Sequence, residues 1–157
     1  KRQSLTCPAC ANFHSKIFYQ IKEEFIDKGL VRFEHHPFPL DLAALNAEMI
    51  VRCHVDNIKK FELLGKIYEK QKLWAVGSDI NKINDSIKKI GLESNLNNKD
   101  MDDCLKDENK QDEILNQRID AQKKYEIGST PTILINEKKY KGKVEYSEFK
   151  KVLEKNL

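Results

Sequence analysis

The sequence predicts an α/β class in which two βα-type segments enclose a wholly helical insertion. Three observations carry this. A Cys-x-x-Cys motif opens the chain and runs into an amphipathic helix followed by a strand-like alternation. From Asp41 to about Glu126 nearly every stretch has helical character. Beyond it a Pro-containing loop, a short hairpin pattern and a final amphipathic helix restore the mixed signals of the start. The expected organisation is residues 1–40 and 127–157 as one domain in two segments, with 41–126 inserted between them.

The first helix is expected from Cys10 to about Lys28, because Phe13, Ile17, Ile21 and Phe25 form one apolar stripe and Gly29 is a natural stop. Leu30–His35 alternates apolar and polar residues as a strand does, and Pro37-Phe38-Pro39 is expected to end it. Asp41 suits an N-cap, ahead of Leu42, Leu45, Met49 and Cys53 on one helix side. A second inserted helix is expected over 57–72, and a third from Ser78 or Asp79 with Ile80, Ile83, Ile87 and Ile90 in step and Gly91 closing it. Segments 97–105 and 113–125 are further helical candidates. Thr132–Ile135 is β-prone, Asn136-Glu137 reads as a hairpin turn, and 139–141 as the returning strand. Tyr146, Phe149, Val152 and Leu153 make the last helix amphipathic.

Composition narrows the classes of function. The chain has 157 residues, 39% hydrophobic and 34% charged, too apolar for disorder and able to bury a real core. Its apolar runs are too short to cross a membrane. With 28 basic and 25 acidic residues, net +3, the charge balance argues against nucleic acid as a partner. Lysine-rich stretches such as 138–141 read as solvated faces. Lys1-Arg2-Gln3-Ser4 is polar and shows no signal peptide.

Four cysteines permit three pairings. Cys7 and Cys10 stand at the first turn of a helix, where free N–H groups and the positive end of the helix dipole favour a thiolate on the first sulfur. The second sulfur lies one turn deeper, in reach to close a small disulfide ring. Pro8 fits the first turn because it needs no N–H there. This is the arrangement thiol–disulfide exchange requires, with Cys7 as attacking or attacked sulfur and Cys10 as resolving thiol. The other reading of a Cys-x-x-Cys is half a zinc site in a non-catalytic, metal-stabilised binding module. Zinc motifs usually bring a second close pair, whereas Cys53 and Cys104 are far apart, and His54 beside Cys53 faces the wrong way for joint ligation. His14, one turn after Cys10, reads as a packing residue. His35 and His36 sit at a strand end.

Ser4-Leu5-Thr6-Cys7-Pro8-Ala9-Cys10-Ala11-Asn12-Phe13-His14 resembles the active-site segment of the DsbA family. Arg32–Asp41 resembles the strand and turn that follow in those proteins, and Gly128-Ser129-Thr130-Pro131-Thr132 resembles the cis-proline loop of the thioredoxin fold. Pro131 lies too far beyond Cys10 for a plain thioredoxin or glutaredoxin. The spacing fits a thioredoxin-like fold with an inserted helical subdomain, and the resemblance covers nearly the whole chain.

The resemblance implies a periplasmic or otherwise exported thiol:disulfide oxidoreductase that introduces disulfides into client proteins, with Cys7 and Cys10 catalytic and no organic cofactor. Thr130 and a cis Pro131 would face the redox pair and bind an extended substrate backbone. The oxidising compartment it implies would make free thiols a hazard, so Cys53 and Cys104 are expected to form a second, structural disulfide, as in some bacterial members. A quinone-linked membrane protein of the DsbB type is the implied reoxidant. Two departures stand out. Pro8-Ala9 lacks the histidine many family members carry between the cysteines, which implies a weaker oxidant and keeps an isomerase or reductase role open. The residues before Cys7 include no acid and are too few for the strands that precede the motif in the family.

Overall fold

The computed structural model describes residues 1–157 and builds a thioredoxin-like fold dominated by helices. The sheet is minimal. β1 (Arg2–Gln3) runs parallel to β2 (His36–Pro37), with His36 N–H donating to the Lys1 carbonyl at 2.9 Å and Phe38 N–H to that of Gln3 at 2.8 Å. On its other side Arg2 exchanges both backbone hydrogen bonds with Thr132, antiparallel. β1 therefore takes the middle place with two residues. β3 (Leu134–Ile135) and β4 (Lys138–Lys139) form the expected hairpin, and Asn136 and Glu137 at φ 48° and 68° give the two-residue turn its required left-handed backbone.

The expected strand over Leu30–His35 is corrected to His36–Pro37. Burial does alternate over 31–34, Val31 and Phe33 half-buried and Arg32 and Glu34 exposed, but no ladder forms there. A cleft of about 420 Å³, lined by Phe13, Ile21, Phe33, Ile135 and Phe149, lies between this segment and 133–136. Pro37 sits inside the pairing rather than ending it. The donors toward β1 come from His36 and Phe38, so the missing proline N–H falls on the outer side, where a strand tolerates it.

The first helix, α1, occupies residues 8–26 and contains two wide π-helical stretches, His14–Phe18 and Lys22–Ile26. Its apolar residues recur strictly every fourth position. That spacing drifts around a 3.6-residue helix, and the wider i→i+5 turns bring it back into line. Phe13, Ile17, Ile21 and Phe25 all end up buried, in a cluster with Phe149 and Leu153 of the last helix.

Between the two sheet segments stand six helices: α2 (Leu42–Val51), α3 (Asn57–Glu69), α4 (Gln71–Trp74), α5 (Ile80–Glu93), α6 (Asn98–Leu105) and α7 (Glu108–Tyr125); α8 (Tyr146–Lys155) ends the chain. Asp41, Asp56, Asp79, Asn97 and Asp107 cap the five longer inserted helices with side-chain oxygens on first-turn N–H groups. The expected helix over 57–72 breaks at Lys70 into α3 and α4. Cys53 falls beyond α2 rather than on it. Gly91 does not close α5 but lies inside it, because a Cβ there would run into Met101 Sδ of α6. The larger core cluster joins Leu5, Cys7 and Cys10 to Ile50, Leu63, Ile67, Trp74, Ile87 and Met101 of the inserted helices.

Candidate active site

Cys7 is the N-cap of α1, with extended backbone (φ −77°, ψ 118°), and Pro8 takes the first helical position. The Cys10 N–H donates to Cys7 Sγ at 3.3 Å. The Cys7 thiol points to the Thr130 carbonyl at 3.4 Å, and the Thr130–Pro131 bond is cis. Residues distant in sequence thus meet at one sulfur: the helix start supplies a donor to it, and the loop before β3 supplies backbone polar groups beside it. Cys7 keeps 8% of its surface exposed and Cys10 none. Both carry free thiols. Burial pushes the Cys10 thiol up to about 12, so this sulfur holds its proton at neutral pH. Ala9 and Pro8 lie exposed beside the pair, and Ala9, Pro131, Val144 and Tyr146 line a shallow groove next to it.

Behind the pair lies a set of buried polar side chains that no sequence motif singles out. Lys1 is 7% exposed, its ammonium 3.8 Å from the centroid of the Phe13 ring and without a hydrogen-bond partner, and burial pulls it down to about 7. The Tyr68 hydroxyl is buried and unpartnered, and burial holds its pKa well above the ordinary value. Gln3, His35 and Glu48 form a hydrogen-bonded chain, Glu48 being 1% exposed. Of these only Glu48, between Ala47 and Met49, carries a sequence signal, polarity at a position flanked by apolar residues.

The remaining histidines have structural settings. His14 is 3% exposed, stacked on Phe18 at 4.6 Å and edge-on to Tyr19, and burial lowers its pKa to about 3. His36 pairs with Glu34 at 2.8 Å. No three His, Cys, Asp or Glu side chains converge in a way that would hold a metal ion. Cys53 and Cys104 are joined as a disulfide, Cα–Cα 6.0 Å, in the inserted region.

A free cysteine on a helix N-terminus facing a cis-proline loop, with helices inserted before that loop, is the arrangement of a thioredoxin-like fold. The thioredoxin family profile matches residues 3–155. Disulfide bond formation protein D of Bacillus subtilis is 33% identical over 160 residues, spanning 96% of this chain and 68% of its own length. A Rickettsia bellii relative described as a protein-disulfide oxidoreductase is 28% identical and matched over 50% of its length. Among solved structures, Wolbachia pipientis alpha-DsbA1 superposes with a TM-score of 0.86 at 27% identity, covering 98% of this chain and 82% of that one. Oxidised BdbD from Bacillus subtilis gives 0.76 at 25%, covering 98% and 83%. The chain belongs to the thioredoxin family, in its DsbA-like branch, and is a thiol:disulfide oxidoreductase.

Proposed function

We propose that Cys7 and Cys10 are the redox pair and that the protein introduces disulfides into exported client proteins in the periplasm or another oxidising compartment. In the oxidised enzyme a client thiolate attacks Cys7 Sγ. The Cys7–Cys10 bond breaks, and Cys10 leaves as a thiolate that takes up a proton, as its raised pKa favours. A second client thiolate then attacks the client sulfur of the mixed disulfide. Cys7 departs as a thiolate resting on the Cys10 N–H, and two electrons have passed from client to enzyme. A quinone-linked membrane protein of the DsbB type accepts those electrons and restores the pair. Thr130 and Pro131 offer backbone groups to the client beside the reacting sulfur. Residues 1–40 and 127–157 are the thioredoxin-like domain in this reading, and 41–126 its inserted subdomain.

The observation that carries the reading is Cys7 Sγ held between the Cys10 N–H and the Thr130 carbonyl. The test is the equilibrium of the pair with glutathione. A potential between about −270 mV, as in thioredoxin, and about −120 mV, as in the strongest oxidants of this kind, is expected. A value at the thioredoxin end would assign the protein to reduction or isomerisation, a reading that Ala9 in place of a histidine favours. Zinc in the purified protein, with both cysteines protected from alkylation, would overturn the redox reading altogether.

A further inference from the structure

One polar side chain of the inserted helices, Gln71, hydrogen-bonds the backbone turn that carries Cys7. Gln71 opens α4, the one-turn helix that follows the break at Lys70, and is 7% exposed. Its amide nitrogen donates to the Leu5 carbonyl at 2.7 Å and to the Cys7 carbonyl at 3.0 Å, so both amide hydrogens are used on the turn that delivers Cys7 to the helix start. The same turn is closed by Cys7 N–H on the Ser4 carbonyl at 3.1 Å, and the Cys7 carbonyl also receives the first helical bond, from Ala11 N–H at 3.2 Å. α4 is itself anchored, with Trp74 1% exposed and its indole N–H on the Ile67 carbonyl at 2.7 Å. A rigid inserted element therefore grips the backbone on which the reactive sulfur is mounted.

From this geometry we infer that Gln71 is a positioning residue for Cys7, setting how readily its thiolate forms and hence how oxidising the pair is. Two effects point the same way. The sulfur meets the Cys10 N–H only while the turn from Leu5 to Cys7 stays in place. The carbonyl dipoles of Leu5 and Cys7 would weigh against a nearby negative charge if left bare, and the amide hydrogens of Gln71 cover them. A neutral side chain with two donors on one atom suits the task. Glutamate would set an acceptor against two acceptors, and an apolar residue would leave both carbonyls without this partner. Gln71 touches no reacting atom and acts through the backbone.

The inference rests on Cys7–Cys10 being the redox pair, and the test separates the two. Gln71→Met keeps the length and removes the donors; Gln71→Glu keeps the shape and reverses the polarity. Circular dichroism and mapping of Cys53–Cys104 establish that each folds. Cys7 alkylation at about pH 6 is expected to slow by about threefold to tenfold in Gln71→Met and by more in Gln71→Glu. The glutathione equilibrium should move toward the disulfide by the same factor, about 15 to 30 mV. A merely structural role would destabilise both redox forms alike and leave these readouts unmoved. If Gln71→Met does not fold, Gln71→Glu carries the same comparison. Folded variants whose alkylation profile across pH matches the parent overturn the role of Gln71. A parent that alkylates normally but never exchanges with glutathione overturns the redox reading instead, while the alkylation profile still decides on Gln71.

Discussion

The two cysteine pairs sit at opposite ends of helices. Cys7 caps the start of α1 with an N–H on its sulfur, and Cys10 lies in the first turn. Cys104 lies in the last turn of α6, and Cys53 follows the end of α2. Helix starts favour a negative sulfur and helix ends disfavour it. A disulfide breaks readily when one of its sulfurs leaves as a stabilised thiolate, so in the proposed reading the first pair exchanges and the second resists exchange. Surroundings repeat the contrast. The Cys7 sulfur faces the Thr130 carbonyl of the cis-proline loop, whereas the Cys53–Cys104 bridge ties α6 to the segment that follows α2. In that reading the same side chain is a reagent in one place and a fastener in the other, and backbone polarity distinguishes them.

Deleting one pair and then the other puts this division of labour to its severest test. Cys7→Ser should lose all exchange with client thiols, and Cys10→Ser should accumulate a mixed disulfide at Cys7, visible as a mass increase. The double variant Cys53→Ala/Cys104→Ala should exchange at the parental rate. Retained exchange in Cys7→Ser, or lost exchange in the folded double variant, would reverse the two roles.

Stability should show the opposite pattern. Cys53 and Cys104 are 51 residues apart, and closing a loop of that length restricts the unfolded chain by roughly 4 kcal/mol in the loop-entropy picture. Urea unfolding of the double variant should register most of that loss. A change under about 1 kcal/mol would mean that the bridge does little to hold the fold.

How much of this was legible in the sequence depends on range. Local signals read well. Cys7-Pro8-Ala9-Cys10 marked its helix start, Asp41 and Asp79 marked caps, and Asn136-Glu137 marked the hairpin. Within the expected strand over Leu30–His35 the alternation marked which side chains turn inward only over 31–34; pairing depends on a partner strand, and the ladder forms only at His36–Pro37. Gly91 looked like a stop because its reason, the thioether of Met101, comes from another helix. The same limit hid Lys1, Tyr68 and Gln71. Their importance is burial beside Cys7 and Cys10, and no periodicity records which polar residue of one element will face another.

Acid should strain the redox side before the bridged side. His14, one turn beyond Cys10, is buried and stays neutral in the folded protein down to about pH 3, whereas in the unfolded chain it takes a proton near 6.5. Its folded pKa is the lower one, so the unfolded state binds more protons below 6.5 and stability falls as pH drops from there toward 3. At pH 5 the loss is about 2 kcal/mol, from about 1.4 kcal/mol per pH unit. Comparing urea midpoints at pH 7 and pH 5 measures it, and His14→Leu should flatten the difference. An equally steep dependence in His14→Leu would place the acid sensitivity elsewhere.

The finest test asks whether side chains, beyond the helix start itself, tune the exchanging pair. Ala9 is exposed in the first turn of α1, between the two cysteines, and offers Cys7 neither a hydrogen bond nor a charge. A histidine there could supply both. The charge is present chiefly below its own pKa near 6.5, and the N–H donor persists above it. Favouring the thiolate also favours the reduced enzyme over the disulfide, which makes the pair more oxidising. A tenfold gain corresponds to about 1.4 kcal/mol, or about 30 mV for this two-electron couple. Ala9→His should therefore raise the potential by some tens of millivolts, with the larger shift at about pH 6 than at about pH 8, and quicken Cys7 alkylation in step. The resistance of Cys53–Cys104 to reduction by a small dithiol should not change, because that bridge joins α6 to the end of α2 whereas Ala9 belongs to the first turn of α1. A potential that stays put while the imidazole titrates would show that the backbone at the helix start, with what holds it, sets the oxidising strength alone.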